Sequence, residues 1–186
     1  PQGVAVDASG TLYVADTGNN AIRCINPNGI VTTLAGLADP NTFGSNDGPA
    51  ALARFSGPRG VAVDALGNVF VTDGYNMTIR RIDSATGMVS TLAGLAGYVG
   101  AVDGKGSAAL FSSLSGIVVG SDGTLVVADG QTIRKVSKDG VVSTLAGSSS
   151  LWGAIDGVGG AATFYSPQGV ALDAAMGKAE SVAFDL

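Results

Sequence analysis

The chain contains no histidine and only one cysteine, Cys24, among its 186 residues. The commonest general base and the commonest metal-binding side chain are therefore both missing, and no serine or cysteine stands in a nucleophile elbow of the form G-x-S-x-G. The lone cysteine excludes a disulfide within this chain and indicates no compartment. Because Cys24 lies in an apolar strand-like run, we expect an unreactive buried thiol.

Long hydrophobic runs are also missing. Apolar residues make up 46% of the chain, but they occur in short runs that fall well below the roughly 18 residues of a membrane helix. Basic residues are few as well, with 10 Lys and Arg against 15 Asp and Glu, a net charge of −5, and no basic cluster. These features predict one soluble domain with no membrane contact, and they disfavour nucleic acid as a partner.

What the chain does have is a repeat. The segment from Pro1 to Gly36 returns from Pro58 to Gly94 and again from Leu114 to Gly147. One glycine marks the phase of every unit: Gly3, Gly60, Gly116 and Gly169. The resulting spacings of 57, 56 and 53 residues are typical of a propeller blade or a solenoid unit.

Each unit contains four short runs rich in β-branched residues. In the first unit these runs are residues 3–7, 12–16, 21–25 and 30–34. Turn-forming dipeptides such as Ser9-Gly10 and Asn28-Gly29 separate them, as expected for hairpins, and no segment resembles a long helix. Four strands per unit is the count of a propeller blade, and strands that are apolar on both sides fit blades packed between neighbours.

The recurring motifs resemble those of the NHL-repeat β-propeller family. They are P-x-G-V-A-V-D, Y-V-A-D-x-x-N, I-R-x-I, T-L-A-G and D-G-x-x-x-x-A-x-F, and they cover roughly nine-tenths of the chain in register. The resemblance implies a propeller, usually six-bladed, that mostly binds proteins or peptides. A few relatives bind RNA and a few are enzymes. It also favours an extracellular or cell-surface location.

We therefore predict an all-β fold, a β-propeller of NHL type with three four-stranded blades and part of a fourth. The predicted units are residues 1–57, 58–113, 114–166 and a partial unit 167–186, with the register of residues 177–186 left open. Because propellers need at least about four blades, the expectation is a segment of a larger ring. That segment would need the remaining blades of the same chain or a second copy, or would stack end to end.

Strand alternation predicts which loops share one face of the propeller, called the top face below. These are the loops between the second and third strands of a unit and the long connections to the next unit: residues 17–20, 74–77 and 130–131, and residues 37–57, 95–113 and 148–166. The opposite face carries only tight glycine turns. Binding residues are therefore expected on the top face.

Seven top-face residues are candidate contacts for a protein, peptide or glycan partner: Asn19, Asn20, Phe43, Tyr75, Asn76, Tyr98 and Trp152. Aromatic side chains are typical interface anchors. The alternative is structural: each aromatic ring would cover its own blade, and each asparagine would satisfy the geometry of its turn.

A second set of residues predicts an ion pair in every unit: Asp16 with Arg23, Asp73 with Arg80, and Asp129 with Arg134. Strand alternation places Arg80 on the face of Ile82, and a buried guanidinium needs a carboxylate, so the pairs are expected to be structural. The connections repeat an Asp-Gly dipeptide at Asp47, Asp103 and Asp156. Each aspartate is expected to close its own turn, and one carboxylate per loop argues against a calcium site.

The sequence thus predicts a non-catalytic scaffold or protein-interaction module with no catalytic residues, no metal and no cofactor. The alternative is a calcium-dependent hydrolase of lactonase type, whose site would be completed by blades outside this segment. Such a site needs Asn, Asp and Glu side chains that converge on the channel, and the only glutamate is Glu180.

Overall fold

The computed structural model describes residues 1–172 and 182–183 and shows an all-β chain. Within this part, the helical segments are three-residue 3-10 turns: Thr17–Asn19, Gly106–Ala108 and Gly159–Ala161. The predicted lack of a long helix is therefore confirmed for these residues. No helix of the described chain is long and apolar enough to cross a membrane.

The first sheet, blade 1, has four antiparallel strands in chain order: β1 Gly3–Val6, β2 Leu12–Asp16, β3 Ala21–Ile25 and β4 Val31–Ala35. These bounds agree with the predicted runs to within a residue. The hairpin turns form where the sequence places glycine, because Gly10 and Gly29 adopt φ values of 85° and 81° that other residues rarely adopt. Cys24 lies on β3 and is half-buried, and burial raises the pKa of its thiol.

The next two sheets each have five strands. Blade 2 contains β5 Gly48–Pro49, β6 Pro58–Val63, β7 Val69–Asp73, β8 Thr78–Ile82 and β9 Met88–Ala93. Blade 3 contains β10 Gly104–Lys105, β11 Leu114–Val119, β12 Leu125–Asp129, β13 Thr132–Val136 and β14 Val141–Gly147. A two-stranded sheet follows: β15 Ala171–Leu172 and β16 Val182–Ala183.

The short strands β5 and β10 are the unexpected elements. Each comes from a long connection and pairs with the outermost strand of the following blade, β9 or β14. The connection at 37–57, counted with the first unit in the sequence, therefore belongs structurally to blade 2. The fourth repeat begins with β15, whereas Glu180 and most of residues 177–186 lie outside the described residues.

The core of the protein lies between the sheets. One cluster joins Ile22 of blade 1 to Val71 of blade 2, and another joins Phe70 of blade 2 to Leu125 of blade 3. Every residue of β7 and β12 is buried, as expected for strands packed on both faces. Burying each such large apolar side chain contributes roughly 1.5–3 kcal/mol, so the contacts between blades stabilise the array.

The first strand of each blade lies innermost and contacts the first strand of the next blade. Together with residues 168–170, these strands surround a cleft of about 390 Å³ lined by residues 2–4, 59–61 and 115–117, called the central cleft below. Glycine is needed in these innermost strands because the strands approach each other closely. A Cβ on Gly60 would lie 2.5 Å from the carbonyl oxygen of Ser115, and one on Gly3 would lie 2.4 Å from that of Arg59.

Candidate functional site

In blade 2, a buried arginine contacts both the blade and the long connection that precedes it. Arg80 on β8 is fully buried, and its Nη1 donates a hydrogen bond of 2.9 Å to Asp73, which is equally buried. Its Nη2 donates to Asp47 of the preceding connection at 2.6 Å. The ring of Phe55, also from that connection, lies 5.2 Å from the guanidinium carbon. One side chain thus joins the connection to the blade.

Blade 3 repeats this geometry. Arg134 on β13 donates to Asp129 at 2.9 Å and to Asp103 of its own preceding connection at 2.6 Å. Phe111 lies 5.5 Å from the guanidinium carbon, as Phe55 does in blade 2. Recurrence of the same cluster in two blades favours a structural function over a catalytic one.

Blade 1 carries a weaker version of the pair. Arg23 and Asp16 are 3.4 Å apart and partly exposed, and no second aspartate lies within ion-pair distance of Arg23 in the described chain. At the other end of the array, Asp156 corresponds to Asp47 and Asp103. It is exposed and makes no hydrogen bond or ion pair with any described residue.

The expectation that Asp47 and Asp103 close their own turns is wrong. Besides the arginine, Asp47 accepts hydrogen bonds from the backbone and the hydroxyl of Thr91 on β9, at 3.0 and 3.1 Å. Asp103 accepts the same pair of bonds from Thr144 on β14. Each aspartate therefore attaches its connection to the outer strand of the next blade, which also explains why β5 and β10 form there.

The pKa values of Asp73 and Asp103 shift in opposite directions. Burial raises the pKa of Asp73 to about 6, although Ser56, Asn76 and Arg80 all donate hydrogen bonds that oppose the rise. The ion pair with Arg80 at 2.9 Å favours the ionised form of this carboxyl. Partial burial also disfavours the charged form of Asp103, but hydrogen bonds from Thr144 and Arg134 outweigh it and lower the pKa of that carboxyl.

The three candidate asparagines make hydrogen bonds inside the protein. Asn19 donates to Asp16 at 3.0 Å, and Asn76 donates to Asp73 at 2.8 Å and to a connection carbonyl at 2.7 Å. Asn20 is buried, donates to the carbonyl of Pro40, and accepts from the backbone N–H of Gly57 at 2.9 Å. Asn20 and Asn76 thus hold their short loops to a long connection, whereas Asn19 closes its own loop.

The candidate aromatic residues are exposed, in contrast. Four sequence-predicted side chains and one that the sequence did not indicate have between 60% and 74% of their surface accessible: Phe43, Tyr75, Tyr98, Trp152 and Tyr165, called the top-face aromatic set below. Tyr165 contacts Trp152 edge to face, with ring centroids 5.6 Å apart. Sequence comparison missed Tyr165 because the matching positions in the earlier units are Ser56 and Ser112.

The backbone beside Phe43 and Trp152 is hydrogen-bonded to a phenylalanine of the same connection. Gly44, next to Phe43, donates its N–H to the carbonyl of Phe55, and Gly153, next to Trp152, donates to that of Phe164. The chain also forms a tight turn after Pro49, because the N–H groups of residues 52 and 53 both donate to its carbonyl. Phe43 and Trp152 therefore project from backbone that is hydrogen-bonded within its own connection.

Arg59 is a further residue that sequence reasoning missed. It occupies the variable position of the P-x-G motif, lines the central cleft, and places its guanidinium carbon 5.5 Å from the ring of Tyr75. Within residues 1–172, no group of three or more Cys, Asp or Glu side chains is arranged to hold a metal ion.

Comparison with family models identifies the repeat. The NHL repeat model matches residues 1–25 and 55–82, and the teneurin NHL domain model matches residues 100–158.

Curated relatives share part of this chain. The chloroplastic protein SUPPRESSOR OF QUENCHING 1 of Arabidopsis thaliana is 35% identical over 123 residues, 63% of this chain and 12% of that protein. NHL repeat-containing protein 2 of Bos taurus is 32% identical over 139 residues, 69% of this chain and 19% of that protein. Teneurin-3 of Mus musculus is 31% identical over 165 residues, 81% of this chain and 6% of that protein. The chain thus spans less than a fifth of each.

Solved structures agree on the architecture. A Bacteroides thetaiotaomicron protein of unknown function superposes with a TM-score of 0.72 at 27% identity, covering 90% of this chain and 41% of that one. An auxiliary nutrient binding protein from the same organism superposes with a TM-score of 0.70 over 94% of this chain and 43% of that one, but at 19% identity this likeness shows the fold alone. With the repeated motifs, the sheet order and the family models in agreement, the chain belongs to the NHL-repeat β-propeller family.

Proposed function

We propose that this chain is a protein-interaction module that binds a peptide segment of its partner through the top-face aromatic set. The observation that carries the proposal is the exposure of five large aromatic side chains on the top face. Two of them, Phe43 and Tyr98, lie on connections that Asp47 and Asp103 attach to the buried arginines. Membership of the NHL-repeat family supports an interaction or scaffold role, since its propellers are generally protein-interaction modules.

Exposed aromatic rings suit this role for a physical reason. A Tyr or Trp ring buries a large apolar area while its hydroxyl or indole N–H can still form a hydrogen bond, which is why such residues dominate binding energy at interfaces. The edge-to-face contact between Trp152 and Tyr165 further restricts both rings. A surface that is ordered before binding loses less conformational entropy when the partner docks.

The proposal predicts a large effect of removing two rings. The double substitution Tyr98→Ala with Trp152→Ala is expected to weaken binding by at least about 2 kcal/mol, because both rings would lose their contacts with the partner. The measurement starts from a random peptide library displayed on phage and selected against the wild-type chain. Dissociation constants of the enriched peptides are then compared between the wild type and the double variant.

The matched control removes two exposed apolar side chains from the opposite face, with Ile30→Ala and Leu66→Ala in tight hairpin turns. This variant should bind the selected peptides as the wild type does, and both double variants should keep the wild-type melting temperature. Equal weakening by the two double variants, or undiminished binding by the top-face variant, would contradict the proposal. Loss of folding in the top-face variant would show that its rings are core residues.

A further inference from the structure

The central cleft combines a polar rim with apolar walls. Its lining contains one charged side chain, Arg59, and no carboxylate. The variable positions of the neighbouring P-x-G motifs add the amides of Gln2 and Gln168. A second cleft of about 390 Å³ continues along the same four strands and shares the valines at 4, 61 and 170. A ligand entering here meets hydrogen-bond donors first and apolar side chains after them.

Arg59 is held in place from two sides. Its Nη1 donates to the carbonyl of Leu114, the first residue of β11, at 3.2 Å, and its guanidinium lies against the ring of Tyr75. Two glycines make room for this pair. A Cβ on Gly57 would lie 2.5 Å from the Tyr75 ring, and one on Gly74 would lie 2.9 Å from Cδ and Nε of Arg59.

The charge of Arg59 has no partner in the described chain. Four other arginines, Arg23, Arg80, Arg81 and Arg134, each lie within 4 Å of an aspartate, whereas no carboxylate lies so close to Arg59 among the described residues. Its Nε and Nη2 likewise make no hydrogen bond with that part of the protein. Two donors of one oriented guanidinium therefore remain without a partner among the described residues, on a residue that lines the cleft.

We propose that the central cleft binds a carboxylate of the partner peptide, with Arg59 as its main ligand. A guanidinium fork matches the two oxygens of a carboxylate, and the contact with Tyr75 together with the bond to Leu114 keeps the fork oriented. The amide of Gln2 supplies a neutral donor on the same lining, and the carbon atoms of the same peptide residue contact the valines of the cleft wall. This inference rests on the proposed function and names the chemistry that the module selects.

Peptides of matched sequence test the proposal and separate the two sources of a carboxylate. One pair has blocked ends and a central glutamate or glutamine. The other pair has no acidic side chain and ends in a free carboxylate or an amide. Dissociation constants come from NMR titrations that follow the side-chain signals of Arg59, Gln2 and Gln168, up to about 10 mM peptide.

At least one carboxylate peptide is expected to bind about fivefold tighter than its neutral analogue. The Arg59→Gln substitution should reduce this preference to less than about twofold. Arg54→Gln is the matched control, because Arg54 donates only to backbone carbonyls in its own connection and does not line the cleft. It should leave the preference intact, and both variants should keep the wild-type melting temperature.

The proposal is overturned if neither carboxylate peptide binds within that range, if neither is preferred, or if the preference survives Arg59→Gln in a folded variant. Should Arg59→Gln unfold the chain, Arg59→Lys serves instead, because it keeps the charge but loses the guanidinium fork. An unreduced preference of this variant for the carboxylate peptide would also overturn the proposal. If the phage-selected peptides depend on Tyr98 and Trp152 but not on Arg59, this inference fails while the proposed function stands. If the selected peptides depend on Arg59 but not on Tyr98 and Trp152, the carboxylate site stands and binding through the top-face aromatic set fails.

Discussion

Replacing Arg80 with alanine is expected to lower the free energy of unfolding by about 3 to 5 kcal/mol, the cost of removing one partner from a buried ion pair. Asp73 would remain fully buried and would lose the neighbouring charge that keeps it ionised. The carbonyl oxygens of Arg54 and Asn46 would also lose hydrogen bonds of 2.9 and 3.0 Å. The connection would then lose its main attachment to blade 2.

Urea unfolding followed by circular dichroism measures this loss. The matched control is Arg81→Ala at the next position of β8, where the arginine is 38% exposed and pairs with Asp83 at 2.8 Å. An exposed pair of this kind contributes less than about 1 kcal/mol. A free energy of unfolding for Arg80→Ala within about 1 kcal/mol of the wild type would refute the structural role of the cluster.

Gly60→Ala is expected to destabilise the protein by about 3 kcal/mol, the upper range for forcing an extra methyl group into a packed site. The new Cβ would lie 2.5 Å from the carbonyl oxygen of Ser115 and 2.9 Å from the hydroxyl of Thr72. That hydroxyl accepts the N–H of Gly60 at 2.7 Å and donates to Ser115 at 2.6 Å. The methyl group would therefore separate blades 2 and 3 where they hydrogen-bond.

The control for this substitution is Gly18→Ala, because a Cβ on Gly18 would meet nothing within 4 Å. It should change the free energy of unfolding by less than about 0.5 kcal/mol, the usual range for an unconstrained surface site. Thermal and urea melts of the two variants test the prediction. Similar free energies of unfolding for the two variants would show that the innermost strands can move apart without loss of stability.

Sequence alone predicted the strands well, because the information is local. Alternating β-branched residues and glycine turns determine each hairpin within about ten residues, so β1 to β4 were placed to within a residue. The pairing of Asp73 with Arg80 was equally accessible, since both residues flank one hairpin on adjacent strands. Of the exposed aromatic candidates, Phe43, Tyr98 and Trp152 came from comparing the long connections, and Tyr75 came from a short loop of the top face.

Contacts between distant segments were not predictable in this way. Asp47 was assigned to its own turn, but its partners Arg80 and Thr91 are more than thirty residues away on the next blade. The role of Arg59 was hidden because a variable position in a repeat carries no consistent signal. Tyr165 was missed for the same reason, because the matching positions in the earlier units are Ser56 and Ser112. Its contact with Trp152 forms only when the connection folds back on itself.

Through its recurring motifs, which resemble NHL repeats, the sequence by itself determined the family and the β-propeller class. It also determined the bounds of β1 to β4 and the face that carries the long connections, because these follow from short-range periodicity. The tertiary structure alone decided which blade each connection stabilises, why glycine recurs in the innermost strands, and which arginine is left without a carboxylate beside the central cleft. These features depend on how neighbouring blades approach each other. Repetition in the sequence marks the positions involved, but only the packing of one blade against the next shows their partners.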